Sequence, residues 1–251
     1  MGMGKLETQL FRLIRQHARG LPKGTSEVIA SFDRSAWLDK RGSPTLTLAR
    51  EPAPPSQRSG PLTGVSHLSA PQLINEVRRR FREPGGGVDH AVEAIRALDE
   101  QRYLREKQRC HRTQEDGLGL SVRICSMTEP VSAGEMLEYY DDGDDEEGGK
   151  QYWTYRIIVT NLSKTETVRV VSRHWKIYAD DELVVEVPLG SPGVIGMKPE
   201  LPPGATFMYY SGTDVAAGRT GFMTGSLGLV VVGSESPSET IHAVVPRMEF
   251  M

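Results

Sequence analysis

The sequence has little cysteine, no long apolar run and none of the familiar catalytic motifs. Its two cysteines, Cys110 and Cys125, are too few for a disulfide framework or a cysteine-based zinc site, so we expect packed thiols in a reducing compartment. No apolar run approaches the roughly 18 residues that a membrane-spanning helix needs, and no secretory signal is recognisable. A nucleophile elbow, an HExxH motif and paired CxxC motifs are also missing, so we expect neither catalytic residues nor a metal site.

Charge is divided unevenly along the 251 residues. Residues 1–115 hold 20 Lys and Arg against 13 Asp and Glu, whereas residues 116–251 hold 10 against 20. Such a division favours two units with different surfaces and different partners. We therefore expect an α+β protein built as two domains, a basic one over residues 1–115 and an acidic one over residues 117–251.

The basic half has the apolar periodicity of helices. Spacing of three and four residues predicts helices over residues 5–19, 27–40, 69–83 and 88–112, which would pack as a bundle of three or four helices. Prolines, serines and threonines across residues 42–66 predict a long loop inserted into that bundle.

From about residue 118 the pattern changes to alternation of apolar and polar residues, which predicts an all-β domain. Turn residues separate the strands at the spacing of a β-sandwich. The predicted strands cover residues 118–126, 152–161, 168–179, 182–187, 205–211, 221–232 and 241–246. Residues 141–149 are acidic and rich in glycine. They predict a solvated loop; a calcium site is the alternative, although its spacing does not fit an EF-hand.

Several segments of the acidic half resemble the ApaG family, in the order and spacing of that family. They are residues 152–162, the run Ser172-Arg173-His174-Trp175, and residues 193–199, 201–212 and 221–226. The resemblance implies an immunoglobulin- or fibronectin-III-like sandwich that serves as a protein-interaction module. The matching positions, which we expect to be structural, are Arg173, His174, Trp175, Gly193, Gly196, Pro199, Gly204, Ser211 and Gly212.

Two features of this half, a glycine-rich loop and a histidine, could have a chemical role. The family's glycine-rich loop is discussed as a phosphate cradle, but residues 190–196 carry one extra residue and Pro192, which lacks an N–H group. We expect turn glycines there. His174 is predicted to lie on the strand face opposite Arg173 and Trp175, with a structural role.

The basic half resembles the LYR-motif family of small helical proteins. Leu10-Phe11-Arg12 stands near the start, with phenylalanine in place of the motif tyrosine, and Arg78 and Phe81 approximate a later Arg-x-x-x-Phe element. The resemblance implies binding of the acidic mitochondrial acyl carrier protein, whose acyl-phosphopantetheine arm would be the one cofactor involved. The implied contacts are Leu10, Phe11, Arg12, Arg15, Arg19, Arg78 and Phe81.

The two resemblances together predict a non-catalytic adaptor of the mitochondrial matrix. It would bind acyl carrier protein through its helical half and dock through its ApaG-like half to a large assembly, such as the mitochondrial ribosome or a respiratory complex. One alternative is an RNA-binding ribosomal or ribosome-assembly protein that contacts phosphates through Arg79, Arg80, Arg82, Arg102 and Arg105. Another is an enzyme that acts on nucleotides or pyrophosphate through its glycine loop.

Overall fold

The computed structural model describes residues 5–19, 45–47, 106–131, 149–233 and 240–251, together with positions 92, 95, 99, 102 and 103. The chain divides into two compact units. One comprises Met1–Phe32 and Arg50–Lys107, and the other comprises Asp33–Ala49 and Gln108–Met251. The helices predicted over residues 27–40 and 69–83, most of the loop at 42–66 and the acidic loop lie outside the described residues.

The first unit contains the predicted first helix, α1, at Lys5–Arg19. Ile14 is its fully buried residue. Positions 92, 95, 99, 102, 103, 106 and 107 are helical, as the last predicted helix requires. The extension of that helix to residue 112 is wrong, because Arg109–Glu115 is a strand. In the described part of the first unit, α1 is the one complete helix, so a bundle of three or four helices remains an expectation.

The second unit consists of antiparallel strands, and each of the seven strands predicted from alternation is present. Three further short or polar strands, β1, β2 and β7, were not predicted. The strands are β1 Thr45–Thr47, β2 Arg109–Glu115, β3 Leu120–Val131, β4 Lys150–Asn161, β5 Val168–Ala179, β6 Glu182–Pro192, β7 Glu200–Leu201, β8 Thr206–Ala216, β9 Gly221–Val231 and β10 Ile241–Phe250.

These strands form the two facing sheets of a β-sandwich. One sheet has the order β1-β8-β4-β3-β2, and the other has the order β10-β9-β5-β6 with β7 paired to β5. Alternate side chains of both sheets meet in one apolar core, which includes Trp153, Ile157, Trp175, Phe207 and Leu227. The all-β sandwich predicted for the C-terminal half is therefore confirmed.

One side of the sandwich is closed by hydrogen bonds between the sheets. The hydroxyl of Ser126 on β3 donates to the carbonyl of Pro246 on β10 at 3.1 Å. The hydroxyl of Thr128 donates to the carbonyl of Glu249 at 2.9 Å. Strand β10 is thus engaged with the facing sheet, and β6 stands at the other end of its sheet.

A charged side chain, that of Arg156 on β4, is buried in this unit with 1% of its surface exposed. Its Nη2 donates to Oε1 of Gln108 at 2.9 Å, and Tyr210 supplies a second hydrogen bond. Burial lowers the pKa of Arg156, and the interaction with Tyr210 opposes that change. Gln108 therefore satisfies a charge that water cannot reach.

We expect Gln108→Leu to lower the free energy of unfolding of the second unit by about 1.5–3 kcal/mol, because it removes a hydrogen bond to a buried charge. Urea denaturation followed by tryptophan fluorescence measures this change. Gln114→Leu is the matched control, since Gln114 lies on the same polar edge of the sheet with an exposed side chain. Its effect should stay within about 0.5 kcal/mol. Equal effects of the two substitutions would contradict the role assigned to Gln108.

The expectation of two packed thiols is wrong, because Cys110 and Cys125 form a disulfide. The two residues face each other across β2 and β3, with Cα atoms 4.1 Å apart. Because the predicted last helix extended to residue 112 and no strand was predicted at 109–115, the register that brings the sulfurs together was not visible in the sequence. The bond joins an otherwise polar edge strand covalently to the sheet.

Intact mass spectrometry after alkylation in denaturant should find no modified cysteine without reductant and two after reduction. Reduction should lower the free energy of unfolding by about 2–4 kcal/mol, as is typical when a disulfide closes a short loop. Cys110→Ala should leave one thiol that reacts without reductant. Two reactive thiols in the unreduced wild-type protein would show that the bond does not form in solution.

Candidate partner-binding surfaces

Arg173 on β5 holds the end of β6 and the turn that follows it. Its Nη1 donates to the carbonyl oxygens of Pro192 at 2.7 Å and Gly193 at 2.8 Å. A register shift between Val170 and Ser172 interrupts the pairing of β5 with β9. The carbonyl of the intervening residue, Val171, accepts a hydrogen bond from the N–H of Gly193 at 2.8 Å. An irregularity in the sheet and one guanidinium thus fix this turn in place.

Beneath the turn, the charge of Arg173 acts on two buried tyrosines. Burial raises the pKa of Tyr155, while a hydrogen bond with Ser211 and the charge of Arg173 oppose that increase. Burial also raises the pKa of Tyr209 well above its ordinary value, and Arg173 again opposes it. Ser211, one of the family positions, therefore contributes a hydrogen bond inside the sandwich, and both phenols stay neutral at physiological pH.

His174 lies on the other face of β5, as alternation predicted. Its Nε2 is 3.2 Å from Oε1 of Glu186, and Nζ of Lys176 is 3.8 Å from the same oxygen. Trp175 is buried in the core on the opposite face. His174 thus belongs to a charged cluster between β5 and β6. Among the described residues, no group of three His, Cys, Asp or Glu side chains is placed to hold a metal ion.

Residues 194–197 form a two-residue turn. The N–H of Val194 donates to the carbonyl of Met197, and the N–H of Met197 donates to the carbonyl of Val194, both at 2.8 Å. The two central residues, Ile195 and Gly196, have φ angles of 42° and 77°. Positive φ is uncommon for a β-branched residue. Ile195 and Met197 are nonetheless exposed at this turn.

The hydrogen bonds of the turn bear on the phosphate-cradle interpretation. Such a cradle needs backbone N–H groups that point at the anion. The N–H groups of Gly193, Val194 and Met197 are already bonded to protein carbonyls. The guanidinium of Arg173 is also engaged with carbonyl oxygens. The loop therefore has the geometry of a supported turn, which disfavours the enzymatic alternative.

We expect alanine substitutions at the two glycines of this turn to differ in cost. Both glycines have positive φ, 63° at Gly193 and 77° at Gly196, so either alanine is strained by about 1–2 kcal/mol. A Cβ at Gly193 would lie 2.5 Å from the carbonyl oxygen of Met197, whereas a Cβ at Gly196 meets nothing within 4 Å. Denaturation of Gly193→Ala should therefore show an additional loss of about 1–3 kcal/mol over Gly196→Ala. Equal losses would mean that the turn adopts another conformation.

The β6 edge, defined as Leu183, Val184, Val185 and Leu189, is an exposed apolar surface. These side chains are 47%, 44%, 46% and 60% exposed, respectively. Strand β6 is the last strand of its sheet, and β5 is its hydrogen-bonded neighbour. Exposed apolar side chains on an outer strand are typical of sites where another chain binds.

Arg219 fixes the beginning of β6. It donates to Oδ2 of Asp180 at 2.7 Å, to Oε2 of Glu182 at 3.1 Å and to the carbonyl of Ala179 at 2.7 Å. The hydrogen bond from Arg219 is the main cause that lowers the pKa of Asp180. Both residues of the β5–β6 turn, Asp180 and Asp181, have positive φ. The strand is therefore held at its start by Arg219 and at its end by Arg173.

In the first unit, α1 presents a second surface. Arg12, Arg15 and Arg19 recur at intervals of three and four residues, which places them on one side of the helix. Arg12 and Arg19 are exposed, and Arg15 is half-buried. Leu10 and Ile14 lie four residues apart on the opposite side, where Ile14 is fully buried. Phe11 is half-buried between the two sides.

The remaining predicted site residues are only partly described. Arg102 is exposed, and its Nε lies 3.7 Å from Oε1 of Glu106. The carbonyl of Pro199 accepts a hydrogen bond from Val170, and the N–H of Gly204 donates to Asn161. Gly212 pairs with Thr154 inside the sheet. The residues that lie outside the described part of the chain are Arg78, Arg79, Arg80, Phe81, Arg82 and Arg105.

The β6 edge was not predicted as a site. Its signal in the sequence is the run Leu183-Val184-Val185, in which consecutive apolar residues put apolar side chains on both faces of one strand. That pattern is usual for a strand buried inside a sheet. Its functional meaning appears only once β6 is seen to be an outer strand.

Comparison with known proteins defines the class of the second unit. A family model described as the ApaG domain matches residues 141–231. Protein ApaG of Methylocella silvestris is 31% identical over 48% of this chain and 87% of its own length. Protein ApaG of Azorhizobium caulinodans is 35% identical over 48% of this chain and 92% of its own length. A solved Bordetella pertussis structure, described as an ApaA protein, is 24% identical with a TM-score of 0.41 and covers 52% of this chain and 93% of that one.

The sandwich is thus a domain of the ApaG type. The chain belongs to the ApaG family, and the residues matched by the family model lie in its second unit. The resemblance stated for the acidic half is confirmed. The names of these relatives state no catalytic activity.

Proposed function

We propose that this chain is a non-catalytic adaptor of the mitochondrial matrix. Its first unit binds acyl carrier protein through α1, and its ApaG domain docks to a large assembly such as the mitochondrial ribosome or a respiratory complex. The observation that carries the proposal is the arginine side of α1, formed by Arg12, Arg15 and Arg19 and set opposite the apolar positions Leu10 and Ile14.

The chemistry of this helix suits an acidic carrier with an acyl chain. Guanidinium groups are permanently charged and donate paired hydrogen bonds to carboxylates, so a row of them attracts an acidic helix. Ile14 on the apolar side of α1 is already buried, so the acyl chain would enter the apolar interior beside it and gain about 0.8 kcal/mol per buried CH₂ group. Arg78 and Phe81, from the LYR resemblance, complete the proposed contact set.

The contacts of the ApaG domain support docking better than catalysis. Two titratable side chains, one on β5 and one in the turn after it, already have partners: His174 lies within hydrogen-bond distance of Glu186, and Asp180 pairs with Arg219. The exposed features are apolar instead: the β6 edge, and the turn that presents Ile195 and Met197. A supported turn beside an exposed strand is suited to holding a protein partner.

We expect acyl carrier protein bearing an acylated phosphopantetheine to co-purify with tagged full-length protein from its own cells. Arg12→Glu should lower its recovery at least tenfold, because the substitution reverses a charge on the binding side of α1. Intact mass spectrometry of the purified material measures both. Lys164→Glu is the control: it makes the same change of charge at an exposed site of the ApaG domain and should leave recovery unchanged.

Absence of the carrier from every sample would overturn the LYR-type function. Retention of RNA that is sensitive to salt and to Arg12→Glu would then favour the ribosomal alternative. The subunits that co-purify identify the assembly. A complete lack of assembly subunits with the wild-type protein would overturn the docking half of the proposal.

A further inference from the structure

We propose that the Cys110–Cys125 disulfide is a redox-sensitive latch, which holds the edge strand β2 on β3 when oxidised and lets β2 leave the sheet when reduced. The reductant is a small cellular thiol of the glutathione class. Strand β2 ends its sheet, and β3 is its hydrogen-bonded neighbour in the described part of the sandwich. The disulfide is the covalent link between these two strands. This device does not depend on the adaptor function proposed above.

Apart from its backbone and the disulfide, little holds β2 on the sheet. None of its seven residues is buried, and Thr113 is the one that is half-buried. A side-chain hydrogen bond joins the two strands, from Nε of Arg112 to Oγ of Ser121 at 3.0 Å. A strand that buries no apolar side chain gains little from the hydrophobic effect when it pairs. The disulfide therefore supplies a large share of the attachment of β2.

Weak attachment of β2 also makes the bond easy to reduce. Disulfide formation and strand docking are coupled reciprocally, so each favours the other by the same free energy. A firmly docked strand would keep the two reduced thiols at a high effective concentration, and the bond would soon re-form. Strand β2 buries too little surface to hold the thiols together in this way. Reduction is therefore accompanied by separation of β2 from β3.

One sulfur of the latch is accessible to an attacking thiol. Cys110 is exposed, whereas Cys125 has 5% of its surface exposed. A glutathione thiolate therefore attacks Sγ of Cys110 and forms a mixed disulfide, and the sulfur of Cys125 leaves as a thiolate that takes up a proton. A second glutathione attacks the glutathione sulfur of this intermediate, which releases Cys110 as a thiol and yields glutathione disulfide. The protein thereby gains two electrons and two protons.

A second anchor, Gln108, lies immediately before β2 and opposes its release. Its Nε2 donates to Sγ of Cys110 at 3.5 Å, and its Oε1 accepts from Nη2 of Arg156 at 2.9 Å. Arg156 carries a buried charge, and hydrogen bonds to a charged group are stronger than neutral ones. When β2 leaves the sheet, it draws Gln108 away from this charge. Removal of the Gln108 amide therefore shifts the latch toward its reduced, released state.

Opening of the latch changes which edge the sheet presents. The β2–β3 ladder pairs residues 109–115 with residues 120–126. Once β2 leaves, the backbone groups of β3 that bonded to it face solvent, and β3 becomes the outer strand. The chain has two cysteines, so the exchange uses a thiol from outside the chain. Disulfides in reducing compartments are usually transient and redox-sensing, and a pair on a weakly held edge strand suits that role.

Hydrogen exchange of full-length protein, followed by mass spectrometry before and after reduction with glutathione, tests the release of β2. In the reduced protein, the amides of residues 109–115 should exchange within about tenfold of the unfolded-chain rate, while β5 and β9 keep at least hundredfold protection. The double substitution Cys110→Ser, Cys125→Ser should behave as reduced protein under both conditions. Protection of residues 109–115 that survives reduction would overturn the latch. Loss of protection in all strands together would overturn it too, because the bond would then support the whole domain.

The position of the redox equilibrium provides the second test. Native full-length protein is equilibrated in buffers of reduced and oxidised glutathione, quenched with acid and alkylated, and its thiols are counted by intact mass spectrometry. We expect millimolar reduced glutathione to open the bond without denaturant and oxidised glutathione to restore it. Reduction that requires denaturant would contradict the proposal.

Matched substitutions probe the anchor in the same buffers. Gln108→Leu should raise the ratio of reduced to oxidised protein at least threefold at a fixed glutathione ratio, because the released state no longer sacrifices the bond to Arg156. Gln114→Leu, at an exposed position of β2, should leave the ratio within twofold of the wild-type value. Equal ratios for the two variants would show that docking of β2 and the redox state of the pair are not coupled, and the latch would be wrong.

Discussion

The end of β6 and the turn that follows it depend on one guanidinium. Arg173 donates to two consecutive carbonyl groups, those of Pro192 and Gly193, where the chain leaves β6 and enters a tight turn. Each carbonyl would otherwise need water or another donor. Hydrogen bonds from a charged donor are about twice as strong as neutral ones. The position of the turn and the end of β6 therefore follow from the position of β5, which lies inside the sheet.

Further hydrogen bonds and ion pairs hold both ends of β6. Val171 lies at a break in the β5–β9 register, and its carbonyl accepts the N–H of Gly193. At the far end of β6, Arg219 joins Asp180 and Glu182. These supports leave the outer backbone of β6 and its exposed side chains uncommitted.

Alternation in the sequence was sufficient to predict the seven main strands, because buried and exposed residues follow one another regularly along them. It was insufficient for β2, whose residues 109–115 are almost all exposed and carry no apolar face. That error concealed the Cys110–Cys125 bond, which depends on the β2–β3 register. Alternation places charged residues on the exposed face of a strand. It therefore did not predict that Arg156 is buried and donates to Gln108.

The Cys110–Cys125 disulfide is at odds with the proposed location in the mitochondrial matrix. Disulfides persist mainly in oxidising surroundings, whereas a matrix protein normally keeps its thiols reduced. Cys125 is buried, but Cys110 lies on the outer strand β2 with an exposed side chain. The redox state of this pair in the native protein therefore bears directly on the matrix assignment.

The family positions and the exposed apolar residues of β6 are different sets. Arg173, Gly193 and Gly204 hold turns and strands in place, and Trp175 fills the core. Exposed apolar side chains such as Val184 and Leu189 lie outside those family positions. The first set supports the fold, whereas the second set contributes little buried surface to it. Membership of the ApaG family therefore accounts for the scaffold, and it leaves the exposed apolar side chains of β6 unexplained.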